Sequence, residues 1–368
     1  MHDLEAMPAR LEAFLATVDS TRRATVRNYA LMTGGYSRVM AKAEIGWSDG
    51  TTQTIVLRGD PPADKTMLVT DRDVEWAVLK SLSLVDTVPM PAALHYDGSG
   101  IHLGTKAIVL EFCAGPSLQS VLNELVAEGA APGDERLVAH RDTFVDTIAK
   151  VPKVDIAVLP ATLERPSGWD AYMTTVNRSW AATERSLAES NPTMRFLGAW
   201  LDAHRPPPME LALQHGDLQP ANILLDPDDG SHRLIDWEYA HIGDPREDLG
   251  WYVTYSSAAL PSLYGPDPEA FLARYRERTG ASDLEVNQAT IGYFSVVSAV
   301  KVFGQIVQAA SAMAEGRTSG VMTTYNINAA TVGHMNFLNA CSALAEPLDA
   351  LRSLHDQMTS VADVTVPA

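Results

Sequence analysis

The stretch "LQHGDLQPANILLD" (213–226) sets His215, Asp217 and Asn222 between two apolar runs. Asp, Asn, Pro and Gly are turn formers, so a loop collects them for local reasons alone. The arrangement His-Gly-Asp-x4-Asn is nonetheless specific, since at ordinary residue usage a chance match in a chain of this length has a probability of about 0.002. The residues that follow sharpen it. "NILLD" reads as an apolar strand, an Asp-Asp-Gly turn stands at 228–230, and "RLIDWE" reads as a second strand. Such a hairpin brings Asn222 and Asp236 towards one end, where Asp217 joins them.

A phosphoryl-transfer centre of the kinase kind needs these parts: an Asp that orients the acceptor hydroxyl, an Asn five residues later and an Asp on the next hairpin to hold magnesium. "HGDLQPAN" and "LIDWE" resemble the catalytic and metal loops of the aminoglycoside phosphotransferase-like kinases, the choline kinase type included, which share the protein-kinase fold. In that family Gly replaces the Arg of His-Arg-Asp, and Ile-Asp-Trp/Phe-Glu replaces Asp-Phe-Gly. "GDPREDLGWY" (243–252) is similar to the family's Gly-Asp-Pro-x-x-Asp-Leu. The resemblance implies that Asp217 is the catalytic residue, that Asn222 and Asp236 are Mg²⁺ ligands, and that ATP is the donor. It gives His215 and Asp248 the task of bracing the loop. Glu238 is expected to be a solvated acid at a strand end, with contact to a metal-bound water as the alternative.

The first third of the chain supplies matching parts. "TGGYSR" (33–38) has Gly34 and Gly35, which permit close backbone approach to phosphates, and Ser37 as a donor; Gly-Gly turns are also common in their own right. "SDG" (48–50) is a hairpin signal, and "TQTIVLRG" (52–59) is a strand of branched residues. Arg58 falls where protein kinases carry the lysine of Val-Ala-Ile-Lys. Arginine keeps the charge and grips phosphate oxygens bidentately, with a different reach. "VLRGDPPADK" resembles the Val-Leu-Arg-x-x-Pro-Pro segment of a branch near the kinase-like domain fused to some acyl-CoA dehydrogenases. A helix over 70–82, capped by Thr70 or Asp71, carries Glu75 as the partner of Arg58; the plain alternative is an exposed helix acid. Lys42 and Lys65 are weaker rivals for phosphate. "VLEFCAG" (109–115) matches the hinge, where backbone groups of Glu111 and Cys113 meet adenine, and the free cysteine itself is read as a small hydrophobe.

The expected fold class is therefore α+β, a bilobal protein-kinase-like fold. A small β-rich N-lobe with one main helix spans 1–112 and binds nucleotide; a larger α-rich C-lobe spans 113–368 and holds the catalytic and acceptor sites. Helical spacing recurs at 118–128, 134–150, 169–188, 193–204, 268–280 and through most of 283–350. The net charge of −18, from 46 acids against 28 bases, gives no basic field for nucleic acid or anionic membranes. Two cysteines far apart build no disulfide framework, and the charged N-terminus lacks a signal-peptide core, which together point to the cytoplasm. "IGYFSVVSAVKVFGQIVQAASAM" (291–313) is interrupted by Lys301, Gln305 and Gln308 and reads as a buried core helix. Nothing in the pattern sets an oligomeric state.

Only seven residues separate Asp236 from Asp244, without an Ala-Pro-Glu landmark, which leaves little room for a peptide platform and favours a small-molecule hydroxyl acceptor. Trp169, Asp170, Tyr172 and Trp251 are candidate acceptor contacts, each also explicable as packing. The implied reaction is Mg²⁺-dependent transfer of the ATP γ-phosphoryl group to a hydroxylated metabolite such as a hydroxyacyl compound, or to an aminoglycoside-type antibiotic. A catalytically silent nucleotide-binding pseudokinase is the alternative. A hydrolase using His215 and Asp217 lacks an accompanying Gly-x-Ser-x-Gly.

Overall fold

The structure is a computed structural model and describes residues 5–32, 39–60, 71–186, 192–256, 261–314, 316 and 338–359. Helix α1 (Met7–Val18) leads into strands β1 (Ala24–Leu31), β2 (Val39–Trp47) and β3 (Thr52–Gly59), followed by helix α2 (Arg72–Leu82) and strands β4 (Ala93–Asp97) and β5 (Ala107–Glu111). The strands form one antiparallel sheet in the order β1-β2-β3-β5-β4. Helices α3 (Leu118–Ala127), α4 (Glu135–Ile148), α5 (Trp169–Arg185) and α6 (Pro192–Ala203) come next. Four short strands follow, β6 (Ala212–Gln214), β7 (Ile223–Leu225), β8 (His232–Leu234) and β9 (His241–Gly243), with β6 paired to β9 and β7 to β8. Helices α7 (Glu247–Ser256), α8 (Pro268–Thr279), α9 (Gln288–Ala314) and α10 (338–359) complete the described chain. The class is α+β, as the sequence pattern requires.

The chain divides into two compact units. The first comprises Met1–Pro116, Ala157–Leu163 and Ile223–Tyr239, so the β7–β8 hairpin and Asp236 belong with the five-stranded sheet. The period-2 alternation of β2 buries Ala41, Ala43 and Ile45 against Met7, Leu11, Phe14 and Leu15 of α1. Ile55 and Leu57 of β3 join the same core, which by alternation turns Val56 and Arg58 to the opposite face. That face belongs to α2, whose first turn is capped by the Asp71 carboxylate accepting from the N–H groups of Asp73 and Val74. Val78, Leu79 and Leu82 of α2 are buried, and the helix packs on β4 and β5. The hairpin is seated by Leu225 N–H donating to Pro116 O at 3.0 Å and Leu234 N–H to Pro89 O at 2.8 Å. Gly115 allows this approach, because a Cβ there would collide with the Leu225 carbonyl.

The second unit comprises Ser117–Ile156, Glu164–Asn222 and Ala240–Ala368. Its core joins Tyr172 and Met173 of α5, Leu197, Trp200 and Leu201 of α6, Tyr293, Phe294, Val296, Val297 and Val300 of α9, and Cys341 and Leu348 of α10. Helix α9 begins at 288 rather than 283, because Asn287 Oδ1 caps it by accepting from the Ala289 and Thr290 N–H groups. Gly250 of α7 lies against the Phe294 backbone, a separation that admits no side chain. Among the described residues no helix is long and apolar enough to cross a membrane.

Candidate active site

In the second unit, α7 organises the His-Gly-Asp loop. The β6–β9 ladder pairs Gln214 with His241 and delivers the chain to His215. Gly216 then turns at φ 83°, a conformation that costs glycine nothing. The Asp248 carboxylate accepts from the N–H groups of His215 at 2.7 Å and Gly216 at 2.9 Å, so it braces the loop through its backbone. His215 is fully buried, and its Nδ1 accepts from the Asp217 N–H at 3.3 Å.

The Asp217 carboxylate is held by three donors. Trp251 Nε1–H and Gln219 Nε2–H reach Oδ1 at 2.9 and 2.8 Å, and Asn222 Nδ2–H reaches Oδ2 at 2.8 Å. The Asn222 amide also donates to the Asp217 carbonyl at 2.9 Å, which turns its Oδ1 away from that loop. Asp248 and Trp251 are three apart on α7 and share a face, so one helix fixes both the loop backbone and the carboxylate.

The other acceptor candidates separate on inspection. Trp169 Nε1–H donates to Asp244 Oδ2 at 2.6 Å, and Asp244 is itself in a buried bidentate pair with Arg246. Tyr172 donates its hydroxyl to Glu247, a contact shared with Lys301 and, at 3.1 Å, with His241 Nε2. Burial, with the Asp244 charge, pushes the Tyr172 hydroxyl pKa well above its usual range. Asp170 is 92% exposed. Trp251 alone of the four touches Asp217. Gln219, Glu247 and Lys301 carried no signal in the sequence beyond being polar.

In the first unit, Arg58 gathers carboxylates. Its Nη1 donates to Glu75 Oε1 at 2.6 Å, and its Nη2 reaches Asp236 and, at 3.1 Å, Glu238. Burial by itself lowers the guanidinium pKa, but the charges of Glu75, Asp236 and Glu238 reverse this and the net shift is upward. The charge is fixed at any working pH. Glu238 is not the solvated acid the sequence suggested: Arg58 draws its carboxylate into the protein, with its side chain 3% exposed. Asp236 differs from its neighbours, with 29% of its side chain exposed. It also has φ 71°, and among the described residues it is the only non-glycine with a positive φ. That conformation is strained for most side chains and tolerated by Asp, whose short carboxylate bonds locally. Trp237 beside it is buried and anchors the loop.

At the end of β5, the Glu111 N–H donates to Ala92 O at 2.9 Å and its Oε2 accepts from the Ala92 N–H at 3.1 Å. Cys113 is half-buried, and burial raises its thiol pKa. Lys42, a rival for phosphate, sits 3.9 Å above the Phe112 ring. Gly34, Gly35, Ser37 and the other rival Lys65 lie outside the described residues.

A profile of the Phosphotransferase enzyme family (APH) matches residues 44–285, more than half of the chain. The chain belongs to the phosphotransferase enzyme family. The match spans both Arg58 and the His-Gly-Asp loop. Acyl-CoA dehydrogenase family member 10 of Mus musculus is 24% identical over 217 residues; the match covers 57% of this chain and only 19% of the mouse protein. The aminoglycoside 3'-phosphotransferase of Streptomyces ribosidificus is 26% identical over 227 residues, covering 57% of this chain and 82% of that enzyme. Among solved structures, a candidate aminoglycoside phosphotransferase from Ralstonia eutropha JMP134 superposes with a TM-score of 0.68 at 18% identity, covering 91% of this phosphotransferase and 98% of that chain. Aminoglycoside phosphotransferase APH(4)-Ia, in a ternary complex with ADP and hygromycin B, gives a TM-score of 0.58 at 14% identity, covering 91% and 98% of the respective chains. These structural likenesses establish the kinase-like fold.

Proposed function

We propose that this phosphotransferase moves the γ-phosphoryl group of ATP, with Mg²⁺, to a hydroxyl of a small molecule. The observation that carries the reading is the state of the Asp217 carboxylate. Oδ1 is filled by two donors, whereas among the described residues Oδ2 accepts from Asn222 alone. A carboxylate oxygen accepts about two hydrogen bonds, so Oδ2 retains one lone pair for an acceptor hydroxyl. Asp217 orients that hydroxyl and takes its proton through Oδ2 as the oxygen–phosphorus bond forms and the bond to the ADP leaving group breaks.

Asn222 and Asp236 suit Mg²⁺, which prefers hard oxygen ligands and binds through one or two carboxylates together with phosphates. Asp236 presents a partly exposed carboxylate, and Asn222 turns its amide oxygen away from Asp217. When bound, magnesium offsets phosphate charge. Arg58, held by Glu75, adds to that field, with Gly34, Gly35 and Ser37 on the phosphates. Backbone groups at Glu111 and Cys113 meet adenine, where the Glu111 N–H is already engaged and its carbonyl is the group assigned. The acceptor proposed first is a hydroxylated metabolite such as a hydroxyacyl compound, on the strength of Arg58 and the similarity to the mouse protein. An aminoglycoside-type antibiotic comes second. A cytoplasmic setting belongs to the same proposal, supported by two free cysteines.

The deciding experiment is ADP release from Mg·ATP across a panel of hydroxyl compounds. A positive acceptor confirms the reading, and Asp217→Ala should then lose about 10²–10⁴ in turnover with its fold retained. Near-parental turnover in that variant would remove Asp217 from the mechanism. The three carboxylates already on Arg58 favour a pseudokinase as second reading; Mg·ATP binding without ADP release across the whole panel would select it.

A further inference from the structure

Arg72 is the first residue of α2, and its side chain is wholly buried. A cation there is unusual, because the N-terminal turn of a helix carries positive partial charge and a buried guanidinium is costly unless paired. Its partners account for it. Nε and Nη2 donate to Asp60 Oδ1 at 3.2 and 2.9 Å, and Nη1 donates to Glu75 Oε2. The other oxygen of Glu75 takes Arg58, whose Nη2 goes on to Asp236 and Glu238. The signs alternate along a single ladder: Asp60, Arg72, Glu75, Arg58, then Asp236 with Glu238.

We infer that Arg72 is a positioning residue for the phosphate site, acting through Glu75 on Arg58. This rests on the nucleotide reading of Arg58 and Asp236 given above. A carboxylate with one guanidinium on each oxygen cannot rotate without breaking one of the two contacts. Arg72 lies three residues before Glu75 on the same helix and pins Oε2 from behind, so Oε1 stays aimed at Arg58. With Arg72 gone, Glu75 is free to take Arg58 through both oxygens, the preferred arginine–carboxylate geometry. That would draw the guanidinium towards α2 and away from Asp236. Asp60, directly after β3, holds Arg72 in turn and ties the start of α2 to the end of the strand that carries Arg58.

The test compares Arg72→Met, Arg72→Lys and Glu75→Gln with the parent enzyme, by Mg·ATP affinity in calorimetry and by steady-state kinetics with the best acceptor. Arg72→Met should raise the Kd and KM for Mg·ATP about tenfold or more, the scale of a lost charge-assisted hydrogen bond. Arg72→Lys, which keeps the charge but cannot bridge Asp60 and Glu75, should raise them about threefold. The acceptor KM should stay within about twofold in both, and Arg72→Met added to Glu75→Gln should cost nothing beyond Glu75→Gln alone. Lowered melting temperatures with unchanged Mg·ATP affinity would reduce Arg72 to a structural role and overturn the proposal. If Arg72→Met does not fold, Arg72→Lys carries the same decision. A parent enzyme that fails to bind Mg·ATP overturns the nucleotide reading itself and this proposal with it; a parent that binds alongside unaffected variants overturns this proposal alone.

Discussion

At the residue scale, the chemistry of Asp217 is set by what its two oxygens already hold. Trp251 is the donor that most distinguishes Oδ1 from Oδ2, because Gln219 is a neighbour in the same loop while Trp251 comes from α7. Trp251→Phe keeps the aromatic volume and removes the N–H. It should lower kcat by roughly 10- to 150-fold, the equivalent of one hydrogen bond to a charged group, with the KM for ATP within about twofold. Steady-state kinetics on the folded variant checks this, and an unchanged kcat would show that the indole only packs. The same scale explains Glu238. Its position two residues beyond Asp236 looks like a strand end open to water, yet the buried Arg58 supplies the charge that draws it in.

At the element scale, the turn between β4 and β5 is built on one carboxylate. Asp97 Oδ1 accepts from Ser99 Oγ and the Gly100 N–H at 2.8 and 3.0 Å, and Oδ2 from the N–H groups of His102 and Leu103 at 3.0 and 2.9 Å. Burial pushes its pKa upward, but these donors outweigh burial and the net shift is downward from 3.8. A carboxyl whose pKa is depressed on folding stabilises the native state above its unfolded pKa and loses that contribution as pH falls through the folded value. Asp97→Ala should therefore cost about 2–3 kcal/mol at neutral pH. The gap between parent and variant in urea unfolding should narrow as pH drops below 3.8, the ordinary value for this group. A gap that is absent at pH 7, or that widens in acid, would contradict this account of the turn.

At the scale of the whole molecule, the chain returns to a unit it has left. Residues 1–116 contain the sheet, both of its helices and Arg58, but two of the three carboxylates on that arginine arrive with Ile223–Tyr239. The same late segment accounts for the hydrogen bonds to Pro89 and Pro116. A buried cation stripped of partners costs several kcal/mol, a large part of the stability of a small domain. A fragment ending at residue 116 should consequently show no cooperative unfolding transition by circular dichroism, and a sharp transition would mean that the sheet and α1 suffice.

What could be read from the chain alone was whatever depends on spacing. Alternation placed β2 and β3, a cap at Thr70 or Asp71 placed the start of α2, and the five-residue interval set Asp217 and Asn222 on one loop, because strand period, cap chemistry and turn geometry act over a few residues. Glu75 was legible as an acid on the helix after β3 for the same reason. The folded structure alone decided who meets whom at long range: Arg58 with Asp236 across 178 positions, Trp251 on the Asp217 carboxylate across 34, and Arg72 buried behind Glu75. Periodicity tells which face a side chain takes but not what stands opposite, and the pairing of a buried charge is settled by the elements that enclose it. That is why Arg72 reads in the sequence as an ordinary helix arginine, and why Trp251 reads only as one of four candidate acceptor contacts rather than as the donor on Asp217.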